Sequence, residues 1–328
     1  MRPFKYTTAS TPTTAVGLAQ SNPNARFLAG GTNLIDLMKE DVARPDELID
    51  INSLKLNSIS AITGGGISLG ALGKNTEAAN HPLVRKNYPL LTKAILAGAS
   101  AQIRNMATNG GNLLQRTRCT YFYDTAMPCN KREPGSGCAA LQGINRMHAI
   151  FGWSENCVAV YPSDMAIALT ALKARVKVLQ PGGTTRSIPI EDFHRLPGEQ
   201  PQHDNTLRTG ELITAIELPP NDFAAHSAYL KVRDRNSYAF ALVSVAAGLV
   251  LKGNTILSSQ LVMGGVAHKP WALKAAEQFL KNKAATVDNF SKAAEITMQE
   301  ARPLNHNKFK IELGKRTLIS ALQTALKG

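Results

Sequence analysis

No stretch of this 328-residue chain is apolar for the roughly 20 residues that a membrane-spanning helix needs, so such a helix is excluded. No apolar h-region follows the opening Met1-Arg-Pro-Phe-Lys-Tyr6, and no twin-arginine pair stands there. The chain is therefore read as carrying no export signal of its own. That predicts a cytoplasmic location by default, or a periplasmic one if a signal-bearing partner carries the folded chain out. Internal repeats and low-complexity segments are missing too. The net charge is +13 and the pI about 9.7, yet the basic residues are scattered, with no arginine-rich arm and no nucleic-acid-binding motif. A diffuse positive excess of this kind suits an anionic cofactor or acidic partner subunits better than a phosphate backbone.

The common nucleotide signatures are absent as well. No G-x-G-x-x-G follows a strand, and Gly73-Lys74-Asn75-Thr76 fails as a P-loop because Ser68 stands where its first glycine belongs. His148, His194 and His268 have no Ser or Cys partner at a recognisable spacing, and there is no H-E-x-x-H metal site. The chain is expected to activate no substrate of its own.

What is present begins with Phe27-Leu-Ala-Gly-Gly-Thr-Asn-Leu34, an apolar strand ending in two glycines, a threonine and an asparagine. Glycines there let the backbone turn tightly and approach a ligand. Successive amides in such a turn form a concave nest for anionic oxygen, with Thr32 and Asn33 adding side-chain donors. A ligand-free strand–turn–helix would look the same. A second stretch, Arg104-Asn-Met-Ala-Thr-Asn-Gly-Gly-Asn-Leu-Leu114, repeats the chemistry. Two such turns suit a ligand with two phosphates, or one phosphate and a long polar tail.

A composition of 44% hydrophobic and 19% charged residues is that of an ordinary globular chain, long enough for two or three domains. Helices are predicted over 14–20, after Leu34, over 89–99 and over 163–172 with Ser163 as N-cap. Strands are predicted over 47–51, as a hairpin over 61–70 turning at Gly64–Gly66, as a second hairpin over 175–190, and over 211–218. Pro219-Pro-Asn-Asp222 reads as a domain boundary. Beyond it, strands at 227–232, 240–251 and 255–264 precede helices near 273–282, 290–302 and 315–326, the order of an α+β module.

All four cysteines, Cys119, Cys129, Cys138 and Cys157, fall in an irregular stretch between Gln115 and Cys157. Disulfides are possible for an exported chain. Structural zinc is disfavoured, because no C-x₂₋₄-C pair occurs. An iron–sulfur cluster accepts irregular spacing if the fold brings four thiolates together. Two local features favour it: Arg116, Arg118, Lys131, Arg132 and Arg146 could offset cluster charge, and Gly135, Gly137 and Gly143 could offer bare amides to the sulfurs.

Phe27–Leu34, Ile103–Leu113 and Pro162-Ser-Asp-Met165 resemble the three FAD-contacting segments of the flavin subunit of molybdenum hydroxylases, a family that includes xanthine dehydrogenases, carbon monoxide dehydrogenases and aldehyde oxidoreductases. The resemblance runs over nearly the whole chain. Gln115-Arg-Thr-Arg-Cys119, Pro128-Cys-Asn-Lys-Arg132 and Gly135-Ser-Gly-Cys-Ala-Ala140 narrow it to bacterial aldehyde oxidoreductases whose flavin subunit carries an extra [4Fe–4S] cluster. The fold it implies is α+β. A two-subdomain FAD-binding domain of vanillyl-alcohol-oxidase type would span 1–222 (subdomains about 1–60 and 61–222, with an iron–sulfur insertion at 115–160). A C-terminal α+β domain of antiparallel sheet and helices would span 223–328.

By the same resemblance, Phe27, Leu28, Ala29, Gly30, Gly31, Thr32, Asn33 and Leu34 wrap the FAD pyrophosphate. Ala71 and Thr76 hold the same region of the cofactor. Thr108, Gly111 and Asn112 complete the phosphate and ribityl contacts, and Leu114 packs on the ring system. Asp164 hydrogen-bonds the cofactor, Ile213 packs near the flavin, Lys231 lies near the isoalloxazine and Tyr161 shields a flavin face. Cys119, Cys129, Cys138 and Cys157 ligate the cluster. Expected partners are a large molybdenum-cofactor subunit, a small [2Fe–2S] subunit and an external electron acceptor, in a heterotrimer or its dimer. Two alternatives remain open at this point: a self-contained flavin oxidase on the same fold, and a zinc- or disulfide-stapled binding module.

Overall fold

The computed structural model describes residues 1–328, and three sheets organise it. The first layer contains β1 (Lys5–Thr8), α1 (Pro12–Ser21), β2 (Arg26–Leu28), α2 (Leu34–Lys39) and β3 (Glu47–Asp50). Its strands pair in parallel in the order β1-β3-β2. Helix α1 starts two residues ahead of the predicted 14–20: the Thr11 hydroxyl accepts from the Thr14 amide, and Pro12 occupies the first turn, where its missing N–H does no harm. Strand β2 is an edge strand, so its C-terminal end is free to open into the glycine turn.

The second layer begins with β4 (Ile59–Ala61) and β5 (Ile67–Gly70). It continues through α3 (Asn75–Asn80), α4 (Pro82–Asn87), α5 (Pro89–Ala97), α6 (Ala101–Met106), α7 (Asn109–Leu113) and α8 (Thr120–Tyr123). After the irregular cysteine stretch come α9 (Asp164–Ala171), β6 (Arg175–Leu179), β7 (Thr185–Pro189), α10 (Ile190–Phe193) and β8 (Leu212–Leu218). The five strands form an antiparallel sheet in the order β4-β5-β8-β6-β7. Both hairpins form at the predicted turns, and Ser163 caps α9 by accepting from the Ala166 amide.

The third layer holds β9 (Ser227–Val232), β10 (Val243–Lys252), β11 (Thr255–Gly264) and β12 (Trp271–Ala272), antiparallel in the order β12-β11-β10-β9. Helices α11 (Lys274–Leu280), α12 (Val287–Met298) and α13 (Phe309–Lys327) close the chain. Val243, Val245, Ala247 and Leu249 of β10 belong to the core beneath α12 and α13. The opposite face of the strand carries the small residues Ser244, Ala246 and Gly248, and Ala246 belongs to the core of the second layer. A Cβ on Gly248 would lie 2.3 Å from the Phe223 ring, so only glycine fits there. The two layers meet across this small-residue face. Helix α9, buried at every position, is packed against α5 on one side and against β10 and β11 on the other, as a helix apolar on all faces but for Asp164 and Thr170 requires.

Several elements differ from the sequence reading. The short helices α6, α7, α8 and α10 are not anticipated by periodicity, because four to six residues span barely one turn and carry no repeat. The segment Arg104–Leu114, read as a second glycine turn, contains the one-turn helix α7, capped by the Thr108 hydroxyl on the Gly111 amide.

The cysteine stretch has little regular structure of its own and is held from outside. At the start of α13 the fully buried Lys310 ammonium donates to the carbonyls of Met147, His148 and Gly265 at 3.0, 2.9 and 2.8 Å. Asn307 Nδ2 donates to the carbonyls of His148 and Ala149, and the His306 amide donates to Asn145 Oδ1. Removing the ammonium leaves three carbonyls that have lost their donor, two of the bonds being deeply buried. Lys310→Met is therefore expected to lower stability by about 2–4 kcal/mol in denaturant unfolding, against less than about 0.5 kcal/mol for the exposed Lys292→Met.

Candidate functional site

A cavity of about 1310 Å³ lies between the first and second layers, with the end of β9 closing one side. Its head is the turn between β2 and α2. There the amides of Ala29, Gly30, Gly31, Thr32 and Asn33 donate to no acceptor in the protein. Consecutive amides without a protein acceptor, turned into a cavity, make a site for anionic oxygen. The strip is held in shape from behind. Asn52 Nδ2 donates to the carbonyls of Leu28 and Ala29, at 3.4 and 3.0 Å. Gly31 sits at φ +70°. A Cβ on Gly30 would lie 2.0 Å from the Met106 carbonyl oxygen, so the two glycine segments touch through bare backbone. Asn33 does not face a ligand as an additional donor: its Oδ1 accepts from the Arg116 amide at 2.9 Å and its Nδ2 points to the Tyr123 hydroxyl.

The second segment works differently from the first. The amides of Asn109, Gly110, Gly111 and Asn112 donate to Gly73 O, Ala71 O, Thr108 Oγ1 and Thr108 O. No second nest exists there. The Asn112 side chain is also committed, donating to Asn75 Oδ1 at 2.7 Å and accepting from Ser163 Oγ and Gln115 Nε2. The glycines serve close packing instead: a Cβ on Gly110 would meet that of Ala71 at 3.0 Å.

Phe27 to Leu34, Ala71, Thr108, Gly111, Asn112, Leu114, Asp164, Ile213 and Lys231 all line the cavity. Thr76 and Tyr161 do not. The Thr76 hydroxyl turns away to Asn105 Oδ1 at 2.6 Å. Tyr161 is buried behind α7, with its hydroxyl on the carbonyls of Asn112 and Leu113, and burial pushes its phenol above the ordinary value. His194 packs on the Tyr161 ring and donates Nε2–H to the Leu113 carbonyl. Burial pushes this histidine down to about 4. Both residues brace the cavity wall from behind.

Asp164 and Lys231, assigned separately from sequence, form a buried ion pair of 2.7 Å in the cavity wall. Lys231 Nζ also donates to the Ala97 carbonyl, and the Tyr229 hydroxyl donates to the other Asp164 oxygen at 2.5 Å. Sequence reasoning missed Tyr229, which is buried and whose phenol is raised by burial and then by Asp164. It also missed Asn52 and Asp204, and gave Arg116 to the cysteines rather than to Asp204 and Asn33. Asp204 receives Arg116 Nε at 2.7 Å and Lys131 Nζ at 2.6 Å. Burial works against its ionisation, but the two cations outweigh burial and hold its carboxyl below the usual range. Through Arg116 this pair of bonds ties the amide strip to the cysteine stretch.

The four cysteines converge as free thiols. Cys129 and Cys138 face each other across an isolated antiparallel bridge, and the Cys157 thiol donates to Cys138. That bond makes Cys138 the easier of the two to ionise and Cys157 the harder. Cys119 lies near enough to sense both Cys129 and Cys138, and burial pushes its thiol up to about 12. No three His, Cys, Asp or Glu side chains close on a single-ion position. Backbone amides lie close enough to the sulfurs to ease their ionisation, Phe122 and Tyr121 near Cys119, Val158, Ala140 and Leu141 near Cys138 and Ala159 near Cys157, with the Phe122 and Leu141 amides donating to the carbonyls of Cys119 and Cys138.

The supporting groups differ from those expected. The amides of Gly135 and Gly137 donate to Asn130 Oδ1, and that of Gly143 to the Ala139 carbonyl. Arg116 and Lys131 pair with Asp204, Arg118 with Asp36 and Arg146 with Asp234, while Arg132 donates to the carbonyls of Tyr121 and Phe122. The cations thus brace the loop rather than stand free beside the sulfurs. His148 is not isolated: its Nε2 lies 3.1 Å from Cys119 Sγ. Burial and then the Lys310 ammonium push its imidazole down to about 4.

A large cavity headed by an anion-binding amide strip, with an ion-paired polar wall, defines a protein that holds a phosphate-bearing cofactor. Residues 2–221 match the model of the FAD binding domain in molybdopterin dehydrogenase, and residues 227–325 match that of the CO dehydrogenase flavoprotein C-terminal domain. The chain belongs to the FAD-binding, medium-subunit family of the molybdenum hydroxylases. It is 50% identical to the aldehyde oxidoreductase FAD-binding subunit PaoB of Escherichia coli K12, over 99% of both chains. It is 35% identical to the carbon monoxide dehydrogenase medium chain of Hydrogenophaga pseudoflava, over 92% of this chain and 88% of that one. Among solved structures, CO dehydrogenase from Oligotropha carboxidovorans has the same fold, with a TM-score of 0.77 and 21% identity over 99% of this chain and 98% of that one.

Two variants test the site. Gly30→Ala must push the two glycine segments apart, so FAD content in the purified protein is expected to fall by roughly tenfold or more, while Gly17→Ala, which meets nothing within 4 Å, retains it. Lys231→Met leaves Asp164 buried without its cation. Denaturant unfolding is expected to show a loss of about 3–5 kcal/mol, partly recovered by the double change with Asp164→Asn.

Proposed function

We propose that this chain is the electron-transfer subunit of a molybdenum-dependent aldehyde-oxidising assembly. Aldehyde would be oxidised at a partner's molybdenum centre, and electrons would pass through a partner's [2Fe–2S] clusters to the FAD of this chain and on to an external acceptor. The observation that carries the reading is the strip of five free amides at the head of a cavity built largely within the stretch that matches the FAD-binding-domain model. A cavity built this way is suited to hold and orient the cofactor. The identity to the aldehyde oxidoreductase FAD-binding subunit supports the aldehyde class over the other branches of the family.

FAD, when bound, supplies the exchange between two-electron and one-electron chemistry that the protein itself lacks. The chain's part is placement. The Ala29–Asn33 amides would take the pyrophosphate, with Thr32 Oγ1 beside them. Leu114 and Ile213 would give the ring system apolar contact, and Asp164 with Lys231 would give it a polar edge that carries positive charge from Lys231 and stays buried from water. Asp164 is bonded to both Tyr229 and Lys231, so it is a poor candidate for a free general base, and this weighs against a self-contained flavin oxidase.

Cys119, Cys129, Cys138 and Cys157 would hold a [4Fe–4S] cluster. The fit rests on four free thiols gathered in one stretch, with backbone amides close to their sulfurs and the His148 ring bonded to Cys119, a setting suited to thiolates and not to an apolar core. Burial keeps the Cys119 thiol protonated at neutral pH, so this ligand would ionise with help from a bound metal's own charge. Partners would be a large molybdenum-cofactor subunit and a small [2Fe–2S] subunit.

Metal and sulfide analysis of protein prepared without oxygen tests the cluster. Iron and acid-labile sulfide are expected in equal amounts and are expected to disappear in Cys129→Ser with FAD retained. Zinc in their place, or disulfides on mass analysis, would end the cluster reading and leave the FAD reading standing.

A further inference from the structure

The cysteine stretch holds one side chain that neither the cofactor cavity nor the thiol set accounts for. His148 is buried, and its backbone carbonyl is gripped by Lys310 Nζ at 2.9 Å and Asn307 Nδ2 at 3.2 Å. Its ring is thereby fixed with Nε2 at 3.1 Å from Cys119 Sγ. The other ring nitrogen, Nδ1, is buried and has no partner. Placing the proton on Nδ1 would bury an orphaned donor and set two acceptors, Nε2 and a metal-bound thiolate, against each other. The proton therefore belongs on Nε2, and the bond runs from histidine to sulfur.

Cys119 is also the one cysteine that lines a second cavity, of about 430 Å³. That cavity shares Arg118, Met147, Pro162, Asp164 and Phe240 with the cofactor cavity. Cys119 is thus the cysteine on the cofactor side of the set, and the His148 ring is the side chain hydrogen-bonded to its sulfur.

We propose that His148 is a positioning residue that sets the reduction potential of the cluster, by donating Nε2–H to Cys119 on its cofactor-facing side. The proposal rests on the cluster reading above. One-electron reduction makes and breaks no bond. It adds one negative charge that is shared among the cluster's sulfurs, including Cys119 Sγ. A hydrogen-bond donor at that sulfur stabilises the reduced form more than the oxidised one, and so raises the potential. Holding the ring through the His148 carbonyl, from the start of α13, keeps that donor aimed without spending either ring nitrogen on support.

The test is an EPR-monitored redox titration of the purified, cluster-loaded protein and its His148→Phe and His148→Gln variants, with iron content measured on each. At a fixed potential near the midpoint, His148→Phe is expected to lower the reduced-to-oxidised ratio on the order of threefold, a shift to lower potential. His148→Gln, which keeps an N–H donor, is expected to recover part of it. Equal iron content with superimposable titrations in wild type and His148→Phe overturns the proposal alone. Wild-type protein without iron and sulfide overturns both it and the cluster reading. If the variants lose the cluster, pulsed EPR of reduced wild-type protein labelled with ¹⁵N-histidine decides the matter. A single weak ¹⁵N coupling is expected, and none would refute the hydrogen bond.

Discussion

The structure depends on a strip of backbone that the fold leaves unpaired. Five consecutive amides, from Ala29 to Asn33, have no acceptor in the protein and line the head of the cavity. Unpaired amides are tolerated where water or an anion can reach them, and are costly where neither can. The surrounding residues keep the strip open and concave. Asn52 takes the carbonyls behind it, Gly30 lies against the Met106 carbonyl, and Asn33 is fastened to the Arg116 amide. Each contact fixes backbone position and leaves the amide face clear.

The same logic joins the strip to the thiol block. Arg116 binds Asn33 through its backbone and Asp204 through its guanidinium, and Asp204 holds Lys131 of the block. Arg116 also stacks over Phe122, at 4.7 Å from the ring centroid. Charges this well buried are tolerable only when paired and hydrogen-bonded. Asp204 satisfies two cations from one short loop, so phosphate head and sulfur cage are mounted on a common, rigid piece of electrostatics.

Much of this was legible in the sequence. The first glycine turn, the Ser163 cap, both hairpins and the three long C-terminal elements follow from period, turn chemistry and capping. The second glycine segment was misread because Asn-Gly-Gly-Asn serves equally for a nest and for a tight one-turn helix. What decides between them is the long-range pairing of Asn109 and Gly110 with Gly73 and Ala71, which no local pattern records. The donors to sulfur were assigned to glycines on composition, whereas the hydrogen bond to a cysteine sulfur comes from the His148 ring. The glycines instead wrap the Asn130 side chain, a contact that depends on loop shape. The Asp164–Lys231 pair and the His148–Cys119 contact join residues 67 and 29 positions apart, beyond the reach of spacing arguments.

The grip of Lys310 on the block has a consequence in time. The Met147 carbonyl waits for an anchor that lies 163 residues further along the chain. At roughly 5–20 residues per second of synthesis, about 10–30 seconds pass between the two leaving the peptidyl-transferase centre. Throughout that interval the sulfur-bearing loop is already made but not yet latched. The arrival of the last helix therefore closes a loop that has stood open while the second half of the chain was being made.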